Sequence, residues 1–283
     1  MKRFLNFLMI AVLAVVFVLP ATACGEKISK LNITLAIYDV EEEKTEDVTL
    51  SFDLYDNLAP DAISAVKTWV KDGYYNGLVF YKQSKYINQS TDSQIMYGGY
   101  KLVDGALTKN SQKLLENAEF EKNGTIGSNL TNVKGAIGLW RDWAGDSNYK
   151  NSGYGKTNST LYVPTTSLTS AYDGYFCLLG KYSTSNDLAI IEQIVELMSD
   201  DDHYTKYTCY YEANEDGSLK LVEGNPVWKA MLTEDFADAT DLPVYKYESD
   251  GQASTTNPDT GYESYTISIL NADKLTVKSI SVK

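Results

Sequence analysis

The stretch "VTLSFDLYD" sets the strongest constraint on this chain, because Val48, Leu50, Phe52 and Leu54 alternate with polar residues. A period of two places every apolar side chain of such a strand on one face. "ISKLNITLAIYDV" precedes it across the charged turn "EEEKT", so the two predict a half-buried hairpin. "APDAISAVKTWVKDG" changes the period: Ala59-Pro60-Asp61 opens a helix with Ile63, Val66, Trp69 and Val70 on one side, and Gly73 stops it. Strand-like runs then recur in "GLVFYK", "SQIMYGGYKLV", "GAIGLW", "STLYVPT" and "YFCLLGKY". "NDLAIIEQIVELMSD" reads as a second amphipathic helix, with Asn186 as cap and Leu188, Ile191, Ile194, Val195 and Leu197 facing inward. The final "DKLTVKSISVK" alternates again and returns to close a sheet. Many short strands with two helices predict a mainly β fold, a closed barrel with flanking helices.

The N-terminus is of another kind. Lys2 and Arg3 precede an apolar run of thirteen residues, Phe7 to Leu19, and then "PATAC". A membrane span needs about 20 apolar residues, so this is a secretory signal. Ala21-Thr22-Ala23 before Cys24 resembles the lipobox of bacterial lipoproteins. That resemblance implies cleavage after residue 23, acylation of Cys24, and residence at the outer face of a bacterial cell membrane through a lipid anchor only. Residues 24–283 would then be one domain.

Without Lys2 and Arg3 the chain holds 23 basic residues against 38 acidic ones, a balance that excludes nucleic acid and anionic head groups as partners. His203 stands alone in "SDDDHY", so neither a zinc site nor a Ser/His/Asp arrangement can be assembled, and no metal or cofactor is expected. Asp200 to Asp202 lack calcium-loop spacing and read as a solvated turn. Cys177 and Cys209 lie in strand-like segments; export permits a disulfide between them, and burial as small apolar residues is the alternative. Residues 141–158, rich in Gly, Asn, Ser and Tyr, read as a rim loop, and 203–265, Tyr-rich and acidic, as an insertion of hairpins and loops.

The order of these pieces resembles the cyclophilin-type peptidyl-prolyl isomerases. "VTLSFDLYDNLAPDAISAVKTWVKDGYYNGLVFYK" is similar to the opening of that family. "IMYGGY", "AEFEKNGTIGSNLTNVKGAIGLWR", "NSTLYV" and "YDGYFCLLGKY" are similar to its later landmarks, in the same order. The matched segments run from about residue 46 to 200 and include the last strand. The resemblance implies a closed antiparallel eight-stranded β-barrel with two flanking helices, here with a long insertion before the last strand.

It also implies an activity that needs no nucleophile, metal or cofactor. Rotation about an X-Pro bond is opposed by amide resonance, about 18–20 kcal/mol. A groove, an apolar pocket for the proline ring and one donor to the prolyl nitrogen are enough to lower it. The family's donor is an arginine, and Lys82 stands in its place. Lysine keeps the charge and loses the planar fork. Loss of one charge-assisted hydrogen bond of about 1.5–3 kcal/mol slows the reaction roughly 10- to 150-fold.

The implied groove comprises Tyr81, Gln94, Ile95, Tyr97, Trp140, Thr160, Tyr162, Tyr172 and Phe176, most of them changed from the family's residues. Two readings follow. One is an isomerase with weakened activity that assists the folding of exported proteins and takes proline-containing segments as substrate. The other is a catalytically inactive lipoprotein that binds peptides or proteins through an aromatic groove. A lipoprotein receptor for small solutes has least support, since the two-lobed α/β pattern is absent.

Overall fold

The computed structural model describes residues 27–84, 94–115, 130–141, 157–167, 176–246 and 264–283. The signal segment, Cys24, Tyr172 and most of the expected rim loop lie outside the described residues. In chain order the elements begin with β1 (Ile28–Asp39), β2 (Lys44–Tyr55), α1 (Pro60–Lys71), β3 (Leu78–Ser84) and β4 (Gln94–Val103). The short β5 (Ala106–Lys109) and β6 (Leu114–Leu115) precede β7 (Ala136–Arg141), β8 (Thr157–Pro164), β9 (Phe176–Tyr182) and α2 (Ser185–Leu197). After a 3-10 turn at Asp201–His203 come β10 (Tyr204–Tyr211), β11 (Leu221–Val222), β12 (Asn225–Pro226), β13 (Trp228–Leu232) and α3 (Thr233–Asp238). β14 (Ser264–Leu270) and β15 (Leu275–Val282) end the chain.

The opening alternation does what its period demands. Leu50, Phe52 and Leu54 are fully buried, and they face Ile33, Leu31 and Ser29 of β1 in antiparallel register. Eight antiparallel strands lie side by side in the order β3-β4-β8-β7-β9-β2-β1-β15, with α1 and α2 packed against them. Among the described residues no hydrogen-bonded pair joins the two ends of that run, β3 and β15. The outer edge of β3 is taken from Tyr81 onward by β14, which carries β10 and then β13. Within the expected insertion, 203–265, β10 and β13 extend the main sheet through β14, and among the described residues β11 and β12 form a separate pair.

α1 and α2 start where the chemistry of their first turns allows. Pro60 occupies the first helical position of α1, where its missing N–H costs nothing. α2 is capped by Thr184 rather than by Asn186, because Thr184 and Asp187 satisfy each other's backbone N–H groups. Asp187 also accepts from the Ser51 N–H at 2.7 Å, which ties the helix start to β2. The buried face of α2 is Ile190, Ile191, Ile194 and Leu197, with Leu188 and Val195 at its borders.

Two apolar cores result, one on each side of β3, β4, β7 and β8. The first holds Leu31, Phe52, Ile63, Phe80, Tyr97, Leu139, Leu161 and the buried faces of α1 and α2. The second joins Tyr81, Met96, Tyr100 and Tyr162 to Tyr207, Cys209, Tyr265 and Ile267 from the added strands. Cys177 belongs to the first core and Cys209 to the second. One glycine sets the packing of β9 on β2: a Cβ at Gly180 would lie 1.8 Å from the Asp53 carbonyl oxygen.

Candidate functional site

Strand alternation divides the groove expected from sequence into two sets. On β3, Tyr81 enters the second core while Phe80 enters the first, and Lys82 follows Phe80 to that side. On β4, Met96 belongs to the second core, whereas Ile95 and Tyr97 belong to the first. On β8, Tyr162 belongs to the second core and Leu161 to the first. Neighbouring residues of a strand cannot share a face, so Lys82, Ile95 and Tyr97 cannot line a groove with Tyr81, Thr160 and Trp140.

A cleft of about 40 Å³ opens on the side of the second core. Its aromatic walls are Tyr81, Tyr100 and Trp140, and Gln112, Asn158 and Thr160 supply amide and hydroxyl groups. No carboxylate is among the described residues that line it, in a chain with 38 acids. Tyr81 and Tyr100 meet edge to face with ring centres 4.9 Å apart. The Tyr100 and Tyr265 hydroxyls lie 3.0 Å apart, and Trp228 Nε1 donates to Tyr265 at 3.0 Å, so strands from the insertion buttress this wall. Gln112 Nε2 donates to Thr160 Oγ1 at 3.0 Å, and Lys109 Nζ donates to the Tyr211 hydroxyl at 3.1 Å. Such a surface offers a bound group ring faces, amide-type hydrogen bonding and one lysine, Lys109.

Gly98 and Gly99, with φ of +126° and +77°, let β4 approach β8 beside the cleft. A Cβ at Gly98 would come within 3.2 Å of Thr160 Cα, so β8 would have to give by a few tenths of an ångström, and the positive φ itself favours glycine.

Lys82 is buried, and its Nζ donates to the carbonyl oxygen of Met198 at 3.3 Å. Met198 is the C-terminal cap of α2, whose last turn carries no basic residue of its own. The ammonium thus supplies the positive charge that the end of a helix dipole favours. Tyr97 is equally engaged in structure. Its ring stacks on Tyr75 at 5.8 Å and tilts against Phe80 at 4.7 Å, while its hydroxyl donates to the Tyr75 carbonyl at 2.7 Å. Tyr75 in turn donates to the Ser159 carbonyl at 2.9 Å. Tyr162 is fully buried beneath the cleft and donates to Asn132 Oδ1. Gln94 is buried opposite Pro164, on the Met96 side of β4, and Phe176 pairs with Trp140.

The cleft thus keeps Tyr81, Trp140 and Thr160 from the expected set. Sequence reasoning did not assign Gln83, Met96, Lys109, Gln112 and Asn158 to the cleft. For Met96 and Gln83 the signal was present, since each is two residues from an outward neighbour; Lys109 and Gln112 reach the cleft from β5 and the segment after it. Among the described residues no cluster of three His, Cys, Asp or Glu side chains could hold a metal ion, and no helix is long and apolar enough to cross a membrane.

Burial holds the phenols of Tyr75 and Tyr97 well above their ordinary pKa, and for Tyr75 the neighbouring tyrosines add to the effect. Their contribution to stability is full below the unfolded value, about 10, and falls as the pH rises past it, because the unfolded chain then loses protons that the fold retains. Urea unfolding between about pH 9 and 11 is expected to show stability dropping by up to about 1.4 kcal/mol per pH unit for each such phenol. Tyr75→Phe should flatten that slope, and a midpoint independent of pH in this range would contradict the assignment.

No family model matches the chain, and no curated protein matches it. Among solved structures it is similar to a cyclophilin type peptidyl-prolyl cis-trans isomerase of Cryptosporidium parvum, at 16% identity and a TM-score of 0.37, over 59% of this chain and 85% of that one. The same isomerase in the presence of the dipeptide Ala-Pro gives 16% identity and a TM-score of 0.36, over 58% and 84%. The Mimivirus cyclophilin gives 12% identity and a TM-score of 0.37, over 77% of this chain and 95% of that one. What the described residues establish is a mainly β protein with few helices and a small, carboxylate-free aromatic cleft on one face of its sheet.

Proposed function

We propose that this is an exported, lipid-anchored protein of cyclophilin-like fold that binds proline-containing or other uncharged polypeptide segments, and that it is not a working prolyl isomerase. The fold proposal is supported by the ordered sequence landmarks and by the run of eight antiparallel strands with two packed helices. Export and the lipid on Cys24 are supported by the N-terminal sequence. The observation that carries the functional reading is the position of Lys82. Its ammonium is committed to the Met198 carbonyl on the inner side of the sheet, while the cleft lies on the outer side. A donor that faces away from the bound chain cannot stabilise a rotating prolyl nitrogen.

A protease-coupled assay on an X-Pro peptide is expected to show no acceleration above background for the wild type or for Lys82→Ala. The same peptide, titrated by fluorescence or calorimetry, should bind the wild type and lose at least about tenfold in affinity in Trp140→Ala, a buried aromatic contact being worth about 1.5 kcal/mol or more. A clear isomerisation rate that falls in Lys82→Ala would overturn the proposal and restore the isomerase that the resemblance implies.

A further inference from the structure

The run of eight strands leaves a seam. β14 pairs with β3 only from Tyr81 onward, and β15 pairs with β1. Leu78, Val79 and Phe80 therefore look across at Leu275, Thr276 and Val277 with no backbone hydrogen bond between them among the described residues. Between these two strand edges lies a cavity of about 190 Å³.

Its floor is Leu78, Phe80, Leu270 and Leu275, all buried, and Leu102 stands at the mouth, 37% exposed. None of the residues lining it carries a charge. A dry cavity of about 150 Å³ already holds a benzene-sized group. The seam therefore combines a pocket for one apolar side chain with two strand edges that are not paired with each other, the Leu78 N–H being already donated to the Tyr75 carbonyl. Edge strands recruit other chains through their main-chain groups, and pockets between them read alternate side chains. A hydrocarbon or an acyl chain would fill the pocket and leave the backbone groups without partners.

We infer that the seam between β3 and β15 is a second binding site, distinct from the aromatic cleft, for an extended peptide segment that inserts one leucine-sized side chain. The backbone of that segment lies along the lips formed by Gly77 to Phe80 and by Thr276 and Val277. Gly77 borders the cavity in open space, and its φ of +72° favours glycine.

The test is a methyl and amide NMR titration of the chain with three probes: acetyl-Val-Leu-Val-amide, acetyl-Ser-Ser-Ser-amide and benzene. The leucine peptide should shift, saturably, the methyl signals of Leu78, Val79, Leu102 and Val277 together with the amide signals of Gly77 to Phe80. The serine peptide should not. Leu102→Trp and Thr276→Trp, which plug the mouth from opposite exposed lips, should each weaken binding at least tenfold without unfolding the chain. The inference is overturned if benzene saturates the methyl shifts while the leucine peptide does nothing, if neither binds, or if both plugged variants bind the peptide as the wild type does.

Discussion

Gly180→Ala is expected to abolish the native fold. The added methyl would sit 1.8 Å from the Asp53 carbonyl oxygen and 2.8 Å from its carbon, and both are main-chain atoms of β2 that no rotamer change can move. Relief requires β9 to withdraw from β2, which breaks the register of Phe52 with Tyr182, Asp53 with Lys181 and Leu54 with Gly180. β9 is also the strand that links β7 to β2, so the damage divides the eight-strand run in its middle. Single changes that cost more than about 4–5 kcal/mol are exceptional, and total stabilities are about 5–15 kcal/mol. The loss here should consume most of that. Urea unfolding and the dispersion of amide signals would measure it, and a variant that melts within a few degrees of the wild type would show that the two strands lie farther apart than described.

Tyr97→Ala is expected to cost about 3–5 kcal/mol, the range for removing a large buried aromatic ring. Tyr97→Phe should cost only about 1 kcal/mol, since it loses one hydrogen bond to the Tyr75 carbonyl and keeps the ring between Tyr75 and Phe80. The pair of variants separates two roles. A ring that holds the first core changes stability and leaves peptide affinity alone in the phenylalanine variant. A groove ring at the surface would do the reverse: Tyr97→Ala would unfold at the wild-type denaturant concentration and lose peptide binding. Denaturant midpoints and peptide titrations on the same samples decide between them.

Much of the architecture was legible because it depends on period. Val48 to Leu54 announced a half-buried strand, and Ile63, Val66 and Trp69 announced the buried face of a helix. The cap of α2 was misplaced by two residues, because a reciprocal pair such as Thr184 with Asp187 competes well against a lone Asn186. The candidate site was less legible, for a reason already contained in the period. Matching residues to a family's landmarks put Tyr81 with Lys82 and Gln94 with Ile95 in one groove, although adjacent strand residues point to opposite faces. Nor could the sequence show that Tyr207, Cys209, Tyr265 and Ile267 would add strands to β3 and build a second core. That depends on pairings between segments some 180 residues apart, which no local pattern encodes.

The pairing of β1 with β15 sets a timetable for the molecule. Leu31 lies opposite Val282, and the Lys30 N–H donates to the Lys283 carbonyl at 2.9 Å, so the first strand cannot complete its pairing until residue 283 is made. At roughly 5–20 residues per second of synthesis, that wait is about 12 to 50 s. Throughout it, one edge of β1 stays unpaired beside an apolar row of Leu31, Ile33, Leu35 and Ile37. Folding of this sheet therefore waits on residues 275–283, and any factor that shields the nascent chain has to cover Ile28–Asp39 until they are made.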